Sequence, residues 1–180
     1  MHRPDRNPDK LNYTHPRYTN TVAHIDISKV SFGTTAAITT SLALIIGLSS
    51  THDPKRYIVG TLMVLAIADN LTDSLGIHIY RESQKQDDES KSMTNTLTNF
   101  LTRLAITATF AAFVLLLPIN YAIGACVVLG VIILTALSYY IAINLNESPL
   151  FSIAHHLGIT TIVISVSYFL GQVISSLLNI

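Results

Sequence analysis

Five apolar stretches divide this chain between Phe32 and Leu178, each close to the roughly 20 residues that a helix needs to cross a bilayer. Inside lipid every backbone amide must find its partner within the protein, which permits only helices and closed barrels. The stretches lack the alternation of barrel strands, so the expected fold is an all-α integral membrane protein with five transmembrane helices. Composition agrees: 49% of residues are hydrophobic and 12% charged, with a mean hydropathy of +0.46, whereas an average soluble domain is roughly one quarter charged. The expected spans are 32–50, 57–80, 97–117, 121–145 and 153–178, within one membrane domain over 31–180. They leave no room for a separate soluble catalytic domain, so function is expected in the bilayer or at its edges.

The polar segments set the expected topology. Residues 1–30 are rich in Pro and Asn and lack a signal-type apolar core; they read as an uncleaved tail ending in a short interfacial helix around Ile25 to Val30. The turn THDPKR, the connector RESQKQDDESKSMTNT, Pro118 with Asn120, and the breaker NESP separate the spans. Arg3, Arg6, Arg17, Lys10 and Lys29 in the tail, and Arg81, Lys85 and Lys91 in the connector, outweigh Lys55 and Arg56 on the other side. Basic residues stay cytoplasmic, which puts the N-terminus inside and the C-terminus opposite. The first span, FGTTAAITTSLALIIGLSS, is rich in small residues that let helices approach closely, so it is expected inside an assembly rather than against lipid. The single cysteine, Cys126, excludes an internal disulfide and reads as a small buried hydrophobe.

Within the second span stand two carboxylates, Asp69 and Asp73, one helical turn apart on one face. An acid at membrane depth is costly unless paired, hydrated or ion-bound, which makes it a candidate functional group. Oxygen ligands suit Mg, Ca, Mn and ferrous iron better than soft copper. Thr72 would add an oxygen, and His78, about one turn beyond Asp73, an imidazole near the cytoplasmic mouth. Carboxylates so close in a medium of low dielectric do not all ionise together, so the cluster would carry protons as well as an ion.

The order of small and large residues resembles a known family. FGTTAAITTSLALIIGL runs in register with the first-helix signature of the vacuolar iron transporter (VIT) family, approximately FGLNDGIVSTFALVAGL. TDSLGIHIYRESQ is similar to that family's SMALGEYVSVSSQ, SVSYFLGQVI to its AVTYLIGRLL, and Pro118 after FVLLL falls at its LLP. The likeness covers residues 30–178, with the fourth span contributing almost nothing. It implies a divergent, prokaryotic-type member: a five-helix protomer, a homodimer in a membrane such as the prokaryotic inner membrane, and export of ferrous iron or manganese from the cytoplasm in exchange for protons. A divalent cation would be cargo and no resident cofactor is expected. Lipid, protons and a second copy are the expected partners, with no nucleic acid.

The departures bear on the same site. The family's first-helix Asp corresponds to Ala36, the Met of SMALG to Asp73 and the Glu of GEY to Ile77. The long metal-binding extension shrinks to a connector holding Glu82, Asp87, Asp88 and Glu89. The expected site is therefore relocated and all-oxygen, with Asp69, Asp73, Thr72 and His78 as metal ligands and four carboxylates gathered across a two-fold axis. The alternative is a divergent member that no longer transports and serves as a membrane scaffold or metal-responsive interaction protein.

Other features have plain readings. His155 and His156 diverge by about 100° on a helix and suit an interfacial role better than one shared ion. The connector acids read as a solvated loop. Arg103, near the start of the third span, is expected to snorkel toward headgroups. An intramembrane aspartyl protease would need its acids on different helices. No phosphate loop, zinc spacing or nucleophile elbow occurs, so no enzyme activity is expected.

Overall fold

The computed structural model describes residues 27–84 and 89–179. Their regular elements are all helical: α1 (Ile27–Gly47), α2 (Pro54–Val64), α3 (Asn70–Gln84), α4 (Glu89–Leu116), α5 (Ile119–Leu145) and α6 (Pro149–Leu178). A single π-helical turn, Leu65–Asp69, joins α2 to α3 in one continuous rod. Five segments are long and apolar enough to cross a membrane: Ser31–Ser50, Pro54–Tyr80, Thr96–Leu116, Ile119–Leu145 and Pro149–Leu178. The tail over 1–26 and the connector residues 85–88, with Asp87 and Asp88, lie outside the described residues. The backbone from Ile27 runs into α1 without a break, so 27–30 form its first turn rather than a separate interfacial helix.

The helix ends follow local chemistry. Pro54 occupies the first turn of α2 and Pro149 that of α6, where a missing N–H costs nothing. Pro118 caps α5, its carbonyl accepting from the amides of Tyr121 and Ala122 at 3.0 and 2.9 Å. The NESP breaker is a Schellman turn. Asn146 adopts the left-handed conformation (φ 55°), Glu147 N–H donates to Ala142 O at 2.9 Å, and Asn146 N–H to Ile143 O at 3.3 Å.

Packing centres on α1, which touches α4, α5 and α6 and is the most buried span, while α6 lies outermost. Ile38, Leu42 and Ile45 of α1 share a core with Ile58 and Leu62 of α2, Phe110 and Val114 of α4, and Ala122, Cys126 and Leu134 of α5. Buried positions recur every fourth residue. On α5 they are Ala122, Cys126, Gly130, Leu134, Ser138 and Ala142. Along the second span they are Ile58, Leu62, Ala66, Asn70 and Ser74. Rows at this spacing are the ridges that interdigitate when helices cross, and small residues on them bring backbones close. The closest approach is between α1 and α6, where a Cβ at Gly171 would overlap the carbonyl of Gly47. Thr107 and Ser138 donate to the carbonyl four residues back, Arg103 O and Leu134 O at 2.9 and 2.7 Å, so these two hydroxyls enter an apolar medium with their protons paired.

Gly171→Ala should separate α1 from α6 and destabilise the protein by about 1–3 kcal/mol, whereas Gly158→Ala, with open space around the added methyl, should be close to neutral. Thermal release of the buried Cys126 thiol to a thiol-reactive dye measures both.

Candidate functional site

Asp69 closes the π turn, and Asn70, Asp73 and Ser74 follow in the first turns of α3. A π turn changes the angular phase of the residues beyond it and often marks a functional position. Here it continues the buried row Ile58, Leu62, Ala66 into the polar pair Asn70 and Ser74, both 1% exposed. Asn70 Nδ2 ties the turn down by donating to Ala66 O at 3.0 Å. The acids flank this row, with 42% of the Asp69 side chain and 39% of the Asp73 side chain exposed on the outside of the helix bundle.

Across from them stands Arg103 of α4, about two turns inside the apolar part of its helix and only 1% exposed. It does not snorkel. Its Nη2 donates to Asp69 Oδ2 at 2.8 Å, its Nε to Asn70 Oδ1 at 2.8 Å, and its Nη1 lies 2.8 Å from Asp73 Oδ2 in an ion pair that lacks hydrogen-bond alignment. The reason is energetic: two acids, one turn apart on a packed neighbour, offer a buried guanidinium closer compensation than the distant headgroups. Two carboxylates against one guanidinium leave a formal excess of one negative charge.

Beneath the arginine the helices nearly touch. Asn99, one turn before Arg103, donates from Nδ2 to Ser74 Oγ at 3.1 Å. Its Oδ1 is buried with no N–H or O–H partner and faces Gly33 of α1, where an added Cβ would collide with it and press on Arg103 Cγ.

Of the expected ligands, Asp69 and Asp73 are brought together, but on an arginine. Thr72 is exposed, and its hydroxyl donates to Ala68 O at 2.8 Å. With Asp69, Thr61, Val64, Leu65 and Ala68 it lines an open groove of about 340 Å³ on the outer side of the second span. His78, half-buried further along α3, lies outside that groove. Among the described residues, no group of three or more His, Cys, Asp or Glu side chains is gathered as a metal would require. His155 and His156 stay near one another, ring centroids 5.7 Å apart and tilted by 38°, yet each has its own neighbour: His155 stacks on Phe151 at 6.2 Å, and His156 Nδ1 lies 2.8 Å from Ser138 Oγ. Ala36 and Ile77 are half-buried apolar positions. Thr34, Ala37, Ile38 and Ser41 of α1 are buried inside the helix bundle.

Sequence reasoning missed Arg103 and Asn99 as parts of the site. A signal was present: Asn99, Arg103 and Thr107 form a polar row at a spacing of four in the third span, matching Asn70 and Ser74 in the second.

No family model, no curated protein and no solved structure matches this chain.

Removing both acids by Asp69→Asn with Asp73→Asn should strand the buried guanidinium and destabilise the protein by about 3 kcal/mol. Adding Arg103→Met should recover most of that loss, a non-additivity visible in the same thiol-release assay. Gly33→Ala should weaken the protein by about 1–3 kcal/mol through Asn99 and Arg103.

Proposed function

We propose that this chain is a proton-coupled membrane transporter of divalent metal cations of the iron or manganese class, exporting them from the cytoplasm and working as a homodimer. The observation that carries the reading is the carboxylate pair: two acids inside an apolar span, sharing one guanidinium and keeping about 40% of each side chain open to the outside of the protomer. Side chains of this kind are not retained at such depth for stability, since a buried ion pair is commonly matched or bettered by apolar packing. They are the usual mark of an ion or proton path. The excess negative charge suits a cation or a proton, and the hard oxygen donors suit manganese or ferrous iron. The resemblance to the vacuolar iron transporters supports the direction and the coupling.

In this reading Asp69 and Asp73 take the cation from the groove side, Thr72 contributes an oxygen at the groove wall, and His78 assists at the cytoplasmic end of the path. Protons taken up by the carboxylates release the cation on the far side. A second copy covers the exposed acids, because lipid cannot. The Thr61 to Thr72 groove face is then the seam. In a Cys126→Ala background, cysteines at Thr61 or Thr72 should cross-link between protomers, and absence of dimeric product on gels would count against the seam.

One observation favours a second reading. The hydrogen bonds of Arg103 to Asp69 and Asn70 also suit a purely structural clamp in a non-transporting scaffold. Transport separates the two. Purified protein in liposomes should move Mn2+ or Fe2+ under a pH gradient, and Asp73→Asn should lower the rate by about tenfold or more. A scaffold moves neither ion, and no flux above empty liposomes would sink the transport proposal.

A further inference from the structure

The acid pair is not an open site: its place is already taken by a cation that belongs to the chain. We propose that Arg103 is a tethered competitor, a specificity-determining residue that any transported cation must displace from Asp69 and Asp73. The inference rests on the reading of these two acids as the transport carboxylates.

Three features of the geometry support it. The guanidinium edge lies 2.8 Å from one oxygen of each acid, the region that a bridging divalent ion with oxygen ligands at roughly 2.0–2.6 Å would need. Like charges cannot share it. The two kinds of partner also differ in freedom. Arg103 is held inside the protein by Nε on Asn70 Oδ1, and Asn70 is itself fixed to Ala66 O across the π turn. The acids sit at the surface of the protomer, and Asp69 already lines the groove. When a cation arrives from the groove, the carboxylates can turn to it while the arginine keeps its Asn70 anchor. The third feature is Nη1, which is buried and has no hydrogen bond, so its hold on Asp73 is electrostatic only and is the contact most readily given up.

The consequence is selectivity by charge. A monovalent ion offers the carboxylates no more charge than the guanidinium it must replace, whereas a divalent ion offers twice as much. Arg103 therefore raises the threshold for entry above sodium and potassium and lowers the apparent affinity for the divalent cargo, because only the fraction of protein with the acids released is competent to bind.

The test is Mn2+ binding to the purified full-length protein in detergent, read from the electron paramagnetic resonance signal of free Mn2+. Arg103→Gln should bind Mn2+ about tenfold more tightly than wild type. It should also become sensitive to 100-fold excesses of Na+ or K+ that wild type ignores, and both effects should vanish when Asp69→Asn and Asp73→Asn are added. Equal affinity in wild type and Arg103→Gln, still dependent on the acids, would overturn the competitor role and leave the transport reading standing. Absence of acid-dependent Mn2+ binding in both would overturn the transport reading and the inference together. Should Arg103→Gln fail to fold, the wild-type chain carries the test. In 15N-arginine-labelled protein the carboxylate-held Nη protons of Arg103 should give resolved signals that saturating Mg2+ collapses, and a spectrum unchanged by Mg2+ counts against displacement.

Discussion

The ion triad of Arg103 with Asp69 and Asp73 is the constraint around which the rest of the structure is arranged. A guanidinium that is 1% exposed inside an apolar helix must have its charge met within bonding distance. That requirement sets the register of α3 against α4. Asp69 and Asp73 reach Nη2 and Nη1, Asn70 reaches Nε, and one turn away Asn99 meets Ser74. The same register brings α1 so near that only glycine fits at position 33. The polar contacts are therefore continuous with the packing rather than an inclusion in it.

The packing relies on spacing more than on large side chains. Rows at every fourth residue place Ala, Gly, Ser and Cys on the contact faces of α5 and carry Ile, Leu and Ala into Asn and Ser along the second span. Lipid tails are as apolar as leucine, so contacts between spans gain from close backbone approach and buried hydrogen bonds more than from hydrophobic transfer. Gly47 against Gly171 is such a backbone approach, and Gly130 leaves a notch that the Leu42 and Ile38 side chains fill. The π turn serves the same geometry. It keeps the row in step where the span changes from apolar to polar, and it sets Asp69 on the groove side of the helix while Asn70 points inward.

The unequal burial of the triad gives the functional proposal its physical form. Arg103 and Asn70 are interior and held on several sides, while the acids are peripheral and carry the formal excess of negative charge. One interior cation beside two half-exposed anions is the arrangement that the proposed exchange of one cation for another would use.

Much of this was determined by the amino-acid sequence alone. Five spans long and apolar enough to cross a membrane point to a bundle of membrane helices, and Pro54, Pro118, Pro149 and Asn146 mark their ends, because span length and backbone capping are local properties. The shared face of Asp69 and Asp73 was legible too, since i and i+4 positions coincide on any helix. What only the tertiary structure decided is which helix lies against that face. Arg103 read as a headgroup anchor because its distance from the end of its own span permits snorkelling. Its partners stand thirty or more residues away in the chain, and no local periodicity states that α4 packs on α3. The π turn was hidden for a similar reason: one extra residue in a turn leaves the composition unchanged and shows itself only in where the next side chains point. Burial of a charge is a property of neighbours, and neighbours across a helix interface are chosen by the packing of the whole bundle.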